Sequence, residues 1–343
     1  MGGIELQGNN TKVEIANSEI NVEIENNRGS SVVSYVGGLI GTIANGSSKN
    51  NQILRMKNIN VHADISSVSI SDNSKTETYV GGLLGRGWMT ETQLIQCAVE
   101  GKIISKGYDG CTGGLLGCYD SKVLIINDCY AINNLTSNYK SSQSTNFVCG
   151  GILGGGKISD LDNSGIKNSY FAGIIQGTGS AFISGKLSSN LKVSNCIFDK
   201  TVSGLSDSNM CGGQGTELSY VTGCKALTTE QMHDVKNFEE WDFDSVWTMG
   251  EDYPLLRWQT GQTKVSIENA KIELSENEYV YDGTAKTPSV KVILDDKELK
   301  ENTDFEVSYE NNIEVGIARV VVIGVGDYKG IIAHNLLLLS IWV

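Results

Sequence analysis

A six-residue phrase recurs four times along the chain: one leading residue, two glycines, two aliphatic residues and a third glycine. The copies occupy residues 36–41, 80–85, 112–117 and 149–154. Repetition at intervals of tens of residues is typical of solenoid proteins, because each unit can bury its apolar face only against a neighbouring copy. The phrase therefore predicts a stack of repeated units.

A second recurring element has an apolar residue, any residue, a polar residue of the asparagine type, and then Ser, Ile or Cys. Its polar position is occupied by Asn17, Asn58, Gln96, Asp128, Asn168 and Asn195. β-Branched residues then alternate with polar ones, as at Ile20, Val22 and Ile24, which is the period of a half-buried strand. The copies are unevenly spaced, so we expect loops of different length between the common strands.

Strands stacked about 4.8 Å apart place like residues above like residues. Asparagine-type side chains in register could then hydrogen-bond from one unit to the next. The paired glycines would allow either a positive φ or a close approach of backbones. We therefore predict an all-β chain whose residues 1–225 form a right-handed parallel β-helix, with one coil per repeat.

The glycine phrase, together with stretches such as residues 126–131, closely resembles the GLUG-motif repeats of bacterial secreted and surface proteins. Residues 193–204 are similar to the last repeat of such arrays, and residues 227–232 to the tail that closes them. The resemblance covers about residues 2–258, and it is weakest at Gly2 and at residues 183–185. It implies an extracellular β-helical segment, and it allows an accessory role in a larger secreted peptidase.

The net charge of the chain indicates which classes of partner it disfavours. With 40 acidic and 27 basic residues, the formal net charge of −13 repels phosphate backbones and anionic lipid headgroups. We therefore expect no nucleic-acid partner and no membrane insertion. The first residues lack the pattern of a signal peptide, and residues 2–4 are similar to a faded copy of the phrase, so we expect the array to continue upstream.

Residues 226–260 are predicted to cap the repeats, because the end of a solenoid exposes apolar surface and strand edges. Thr228 and Gln231 have the spacing of a capping box, so we expect a short helix to about Val235. Five aromatic side chains are expected to form the core of this cap rather than a sugar-binding platform: Phe238, Trp241, Phe243, Trp247 and Trp258.

Residues 261–343 lack the phrase, and their strands and turns predict a small β-sandwich. Strands are expected at residues 279–281, 290–294, 304–309 and 316–322. The order resembles the immunoglobulin-like modules of bacterial surface proteins that carry a Tyr-Asp-Gly turn, here residues 281–283. Residues 336–343 lack the alternation of a final strand, and they are too short to span a bilayer.

The side chains that carry chemistry are scattered. The three histidines, His62, His233 and His334, are far apart and lack the spacing of a zinc peptidase. The segment at Asp160 begins like a calcium loop, but Phe171 stands at its twelfth position, which favours a surface turn.

The eight cysteines contain no Cys-x-x-Cys pair, which makes a metal site or a disulfide framework the less favoured interpretation. Cys97, Cys129 and Cys196 share one repeat position with Ser18 and Ser169, which indicates small buried residues. Cys111 and Cys118 flank one glycine phrase, and they are the first pair to test for a disulfide.

We therefore predict a non-catalytic extracellular or cell-surface segment that acts as an adhesin-like binding surface or as a stalk. No catalytic, cofactor-binding or metal-binding residue is assigned, and the expected partner is a surface protein or glycan of a host or neighbouring cell. The alternative is a carbohydrate-active or carbohydrate-binding β-helix, with a groove walled by residues 66–78 and 139–146. It requires two or more carboxylates within about 10 Å on that groove. The positions after the asparagine column carry Glu19, Asn60, Glu100 and Asn133, without a repeated acidic pair.

Overall fold

The computed structural model describes residues 3–6, 10–28, 33–45, 51–69, 76–140, 148–177, 179–183, 191–210, 220–260 and 265–340. The chain is all-β, with 60% strand and 6% helix, which confirms the predicted fold class at that level. Contacts divide it into two compact units. The first is Met1–Trp241 with Glu251–Tyr253, and the second is Asp242–Gly250 with Pro254–Val343.

The first unit consists mainly of strands. In chain order these are β1 Gly3–Leu6, β2 Lys12–Arg28, β3 Ser34–Gly37, β4 Ile40–Asn45, β5 Ile53–Ser69, β6 Glu77–Gly81, β7 Leu84–Trp88, β8 Glu91–Ile95, β9 Ala98–Gly107, β10 Asp109–Gly113, β11 Leu116–Ser121, β12 Val123–Asn127, β13 Tyr130–Tyr139, β14 Val148–Gly150, β15 Leu153–Ile158, β16 Gly165–Lys167, β17 Tyr170–Phe171, β18 Ile175–Gln176, β19 Lys192–Ser194, β20 Ile197–Asp199, β21 Val221–Thr222 and β22 Lys225–Leu227. The short helices are α1 Lys200–Ser203 and α2 Thr229–Met232, with 3-10 turns at Asp207–Asn209 and Val235–Asn237.

These strands form three parallel sheets, which we call sheets A, B and C. Sheet A has the order β1-β4-β7-β11-β15, and sheet C has the order β14-β10-β6-β3. Sheet B has thirteen strands among the described residues, with β21-β19-β16-β12-β8-β5-β9-β13-β17-β20-β22 as its main path, β2 beside β5 and β18 beside β13. Each central repeat passes through sheet C, then sheet A, then sheet B, as β6, β7, β8 and β9 do.

The repeats are stacked in register, and we call this arrangement the repeat stack. The leading residues of the four glycine phrases are Cα partners in sheet C, in the order Val36, Val80, Thr112 and Cys149. The three sheets enclose one core, to which Val80 of sheet C, Leu84 of sheet A, and Leu94 and Val99 of sheet B all contribute fully buried side chains. Like residues therefore lie beside like residues, as the repeat pattern predicts.

The asparagine-type column marks a corner of each repeat. Every member has a left-handed backbone, with φ of 52° at Asn17, 54° at Asn58, 53° at Gln96, 53° at Asp128, 48° at Asn168 and 51° at Asn195. Asparagine and aspartate are the non-glycine residues that tolerate this region best. Gly223, with φ of 64°, holds the same position in a seventh copy that the sequence pattern missed.

The expected side-chain ladder is present between Asn58 and Asn17, where Nδ2 of Asn58 donates to Oδ1 of Asn17 at 2.8 Å. Elsewhere the corner backbone makes the contact between repeats. The amide of Gln96 donates to the Asn127 carbonyl at 3.0 Å, and the amide of Asn195 donates to the Thr222 carbonyl at 2.9 Å. The column is therefore explained by backbone conformation first and by side-chain hydrogen bonds second.

The phrase glycines serve a different purpose. None of those in the described part of the chain has a positive φ. Instead, a Cβ atom at Gly85 would lie 2.5 Å from the Gly41 carbonyl oxygen, and one at Gly154 would lie 2.5 Å from the Gly117 oxygen. Of the two roles predicted for these glycines, the structure shows close backbone approach.

The C-terminal end of the repeat stack carries the predicted capping box. Thr228 caps α2 and accepts from the Gln231 amide, while the Gln231 side chain accepts from the Thr228 amide. The helix ends at Met232, earlier than the expected Val235, and a 3-10 turn follows. Nearby, the indole of Trp241 donates to the Asn195 carbonyl at 2.8 Å, which joins this segment to the last corners.

Asp199 is the central polar residue of this end. It is fully buried and accepts four hydrogen bonds, from the amides of Thr201 and Val202 and from the hydroxyls of Thr229 and Tyr253. Hydrogen bonds of this kind compensate a carboxylate for its lost hydration. Asp199 therefore ties β20, α1 and α2 together.

The second unit has its own strands and cores. Its elements are β23 Trp247–Met249, β24 Pro254–Leu256, a 3-10 turn at Arg257–Gln259, β25 Val265–Ser266, β26 Lys271–Leu274, β27 Glu278–Val280, β28 Val290–Leu294, β29 Lys297–Glu298, β30 Phe305–Glu310, β31 Gly316–Gly324, β32 Tyr328–Lys329 and β33 Ile331–Leu339. A sheet β26-β28-β29 and a sheet β27-β33-β31-β30 share one core, in which Val292 and Leu294 contact the region of Phe305 and Val322.

Two expectations are revised in this unit. β33 forms a final strand that pairs antiparallel with β31 and parallel with β27, although its sequence lacks the expected alternation. Pairing on both edges overrides the weak pattern. The five aromatic residues predicted as one cap are divided: Phe238 and Trp241 belong to the first unit, and Phe243, Trp247 and Trp258 to the second.

Candidate functional site

A cleft of about 350 Å³ lies on the outer surface of the repeat stack, between sheets C and A. We call it the glycine groove. It is lined by Glu77, Tyr79, Arg86, Asp109, Gly110, Cys111, Cys118, Asp120, Gly155, Gly156 and Lys157.

The glycine phrase builds this groove. At its base the glycines let the backbones of the two sheets approach, and a Cβ at Gly117 would lie 2.7 Å from the Val80 carbonyl oxygen. The residues just before and just after each phrase then stand on opposite walls. In one repeat these are Tyr79 and Arg86, and in the next they are their Cα partners Cys111 and Cys118.

Arg86 is the central charged group of the groove, with a side chain only 17% exposed. Its Nη2 lies 2.9 Å from Oδ2 of Asp120, and its Nη1 lies 3.8 Å from Oε2 of Glu77. Its guanidinium also lies 4.1 Å from the ring centroid of Tyr79 and 4.2 Å from that of Trp88. Contacts of this type favour arginine over lysine, because the planar guanidinium both stacks and forms paired hydrogen bonds.

Aromatic rings support the arginine. Tyr35 stacks on Tyr79 with ring centroids 5.7 Å apart, and it meets Trp88 edge-on at 5.6 Å. The Tyr79 hydroxyl donates to Oε2 of Glu77 at 2.9 Å. Burial raises the pKa of Tyr79 far above its ordinary value, so this hydroxyl stays protonated and remains a donor. The wall therefore offers a fixed set of donors and acceptors.

Acidic groups outnumber basic groups in the lining, with Glu77, Asp109 and Asp120 against Arg86 and Lys157. The Asp109 carboxylate accepts from the Gly110 amide at 2.7 Å. This balance disfavours anionic ligands and suits ligands that present hydroxyl groups or positive charge.

Two thiols complete the lining. Cys111 is 9% exposed and Cys118 is 6% exposed, and both are free. The pKa of the Cys118 thiol is raised, first by its hydrogen bond with the Cys111 thiol and then by burial. Its Sγ also lies 3.8 Å from Oδ2 of Asp120. The pair marked by the sequence therefore lies on one groove.

The three cysteines that follow the asparagine-type corner, Cys97, Cys129 and Cys196, are buried in the core. The thiols of Cys97, Cys129 and Cys196 each lie 3.2–3.4 Å from the carbonyl oxygen two residues earlier. The hydroxyls of Ser18 and Ser169 make the same contact at 3.0 and 2.9 Å. The prediction of small buried residues at this position is correct, Cys224 is a further member, and Cys211 lies outside the described residues.

The histidines and the calcium-like segment do not form a site in the described part of the chain. The histidines lie on β5, after α2 and on β33, and the part of the chain that the structure describes contains no cluster of three His, Cys, Asp or Glu side chains able to hold a metal ion. At the calcium-like segment, Asn163 donates from its amide side chain to both Asp160 carboxylate oxygens at 3.1 Å, and the segment folds as an exposed turn.

The alignment of the positions after the asparagine column is corrected. Glu19 and Asn60 are Cα partners, but the next partner of Asn60 is Ala98. Glu100 instead pairs with His62, and Asn133 pairs with Gly101. The four residues therefore do not form one column.

The groove differs from the one expected between residues 66–78 and 139–146. Much of those two loops lies outside the described residues, although Glu77 at the end of the first does line the glycine groove. The sequence signal for the glycine groove is the pair of residues that flank each glycine phrase, and only Cys111 and Cys118 were singled out as such a pair.

No family model, no curated protein and no solved structure matches this chain. None of its described helices has the length and apolar character that a membrane crossing requires.

Proposed function

We propose that this chain is a non-catalytic extracellular segment that displays the glycine groove as a binding surface. The observation that carries the proposal is the in-register stacking of repeats through three parallel sheets, with Arg86 held rigidly at the groove by Asp120, Tyr79 and Trp88. A site supported on regular strands is pre-organised, so little conformational entropy is lost on binding.

In this proposal the repeat stack is a right-handed parallel β-helix of the GLUG-repeat type. Parallel pairing, the left-handed corners and the close-approach glycines support it. The second unit is an immunoglobulin-like module, supported by two sheets that share one core and by the turn at Asp282 and Gly283. A bacterial cell surface is the setting that both resemblances imply.

The ligand that suits the groove best is a glycan. Hydroxyl groups of a sugar can donate to the carboxylates of Glu77 and Asp120 and to the hydroxyl oxygen of Tyr79, and they can accept from Arg86. The excess of acidic groups makes phosphate-rich or sulfate-rich ligands unfavourable. A protein ligand would need a basic side chain to complement the same groups.

A glycan array and a panel of host-matrix proteins test this proposal, with the full chain and Arg86→Ala compared side by side. We expect binding to neutral or basic glycans that falls at least about tenfold in the variant, since charged hydrogen bonds contribute about 1.5–3 kcal/mol each. Arg319→Ala is the matched control, because Arg319 forms an exposed ion pair in the second unit. Empty screens, or equal binding by Arg86→Ala with an unchanged circular dichroism spectrum, would refute the binding role.

A carbohydrate-active β-helix is the second candidate, because Glu77 and Asp120 lie on one groove and contact the same guanidinium. Glycosidases use two carboxyl groups, one as acid and the other as base or nucleophile. The release of new reducing ends from bound polysaccharides, abolished in Asp120→Asn, would establish this activity. Binding without any such release would favour display.

A further inference from the structure

We propose that Cys111 and Cys118 form a dithiol that closes across the glycine groove into a disulfide, by exchange with a small-molecule disulfide. The inference concerns the chain's own chemistry and holds whether or not the groove binds a glycan. It assigns a modification site to a pair of residues that the proposed function does not use.

The register of the repeats places the two cysteines opposite each other. Cys111 is the Cα partner of Tyr79 in sheet C, and Cys118 is the Cα partner of Arg86 in sheet A. In that neighbouring repeat the two side chains meet across the groove, with the guanidinium 4.1 Å from the ring centroid. The cysteines therefore occupy facing positions on the two walls.

The glycines at the base of the groove bring these walls close together. A Cβ at Gly113 would overlap the Leu116 carbonyl oxygen, so the chain folds back tightly between the two cysteines. The strands that carry the two cysteines, β10 and β11, pack against each other. A disulfide needs Cα atoms about 4.4–6.8 Å apart, and the tight fold-back keeps both cysteines on adjacent strands at one groove.

Access distinguishes this pair from the cysteines of the core, whereas Cys224, near the C-terminal end of the repeat stack, is more exposed still. Cys97, Cys129, Cys149 and Cys196 are completely buried. Cys111 and Cys118 are mostly buried, but each keeps a small exposed surface and lines an open cleft. Because exchange requires a thiolate that an oxidant can reach, we expect the groove pair to react before the core cysteines.

The reaction balances as a two-electron exchange. One groove thiol loses its proton, and its thiolate attacks a sulfur of the small disulfide RSSR, which breaks the S–S bond and releases one RSH after protonation. The second groove thiolate then attacks the cysteine sulfur of the mixed disulfide, so the Cys111–Cys118 bond forms and a second RSH leaves. The two cysteines are oxidised, and RSSR is reduced to two RSH.

The test is to incubate the full chain with oxidised glutathione, block the remaining thiols with iodoacetamide and map the tryptic peptides. The peptide that follows Lys106 and ends at Lys122 contains Cys111 and Cys118 and no other cysteine. We expect this peptide to carry no alkyl group, because both of its thiols are already in the disulfide. It should weigh about 2 Da less than the reduced, unalkylated peptide, since two hydrogen atoms are removed. The peptide that contains Cys149 should carry one alkyl group, as it does in the protein that was not incubated with oxidised glutathione.

Two variants complete the design. In Cys118→Ser, Cys111 should stop at the glutathione adduct, whereas Cys149→Ser should still form the bridge. Circular dichroism shows whether each variant is folded. The proposal is overturned if both groove thiols of the folded protein remain alkylated, if glutathione adducts accumulate without closing, or if Cys111 pairs with a cysteine other than Cys118.

Discussion

The asparagine-type corner and the glycine phrase both recur in every central repeat, yet they are needed for opposite reasons. At the corner, residues such as Asp128 adopt a left-handed backbone, with φ of 53°, and keep a side chain. At the phrase, residues such as Gly117 have an ordinary backbone but no room for a Cβ. The corner requires a residue that tolerates the left-handed backbone conformation, whereas the phrase requires a residue without a Cβ atom.

Two positions that recur equally regularly in the sequence can therefore have different physical requirements. A glycine can replace the asparagine at the corner, as Gly223 does, because the left-handed region costs glycine nothing. Replacing a phrase glycine with asparagine would instead place a side chain against the backbone of the neighbouring repeat. The two columns should therefore respond differently to the same kinds of substitution.

The largest effect is expected for Gly117→Ala in the phrase. The added Cβ would lie 2.7 Å from the Val80 carbonyl oxygen, and backbone atoms cannot rotate away as a side chain can. We expect a loss of about 3 kcal/mol or more in the free energy of unfolding, measured by urea denaturation. Gly204→Ala is the control, since its φ of 71° is strained but its Cβ would meet nothing within 4 Å, and it should cost about 1 kcal/mol.

A smaller loss is expected for Asp128→Val at the corner. Valine is β-branched and disfavours a φ of 53°, which should cost about 2 kcal/mol. Asp128→Gly keeps the conformation accessible and should differ from the wild type by less than about 1 kcal/mol. Thermal unfolding of both variants separates the two cases, and equal losses would show that the side chain of Asp128 matters more than its backbone.

Cys129→Ser tests the residue that follows the corner. Ser18 and Ser169 occupy the same position and contact the same type of carbonyl, so the exchange should cost only about 1 kcal/mol. Cys129→Ala should cost more than the serine variant, because it loses that contact and leaves a small cavity in the core. The order of the two melting temperatures checks the prediction, and the reverse order would contradict it.

The smallest effect is expected for Gly223→Asn, which restores the asparagine type at the seventh corner. The new Cβ would meet Oδ1 of Asn195, the end of a flexible side chain, and the pair can hydrogen-bond as Asn58 and Asn17 do. We expect a change of less than about 0.5 kcal/mol. A loss as large as that of Gly117→Ala would mean that the seventh corner is not equivalent to the others.

The sequence predicted the all-β class, the parallel register and the capping box at Thr228, because each follows from a local period or spacing. The groove could not be predicted in the same way, since the opposition of Tyr79 and Arg86 depends on how tightly the glycines fold two sheets together. Gly223 was missed because glycine satisfies the corner without resembling asparagine. β33 was missed because its partners on both sides determine it more than its own pattern does.

The most direct test of the central claim, that the repeats stack in parallel register, uses two native lysines. Lys57 and Lys167 are connected through the Cα partners Ile95 and Asn127 in sheet B. Three strand spacings place their Cα atoms about 14 Å apart. Cross-linking of the monomer with an amine-reactive reagent, followed by mass spectrometry, should recover the Lys57–Lys167 pair. Its absence from a monomer in which both lysines have reacted would contradict the stacked register.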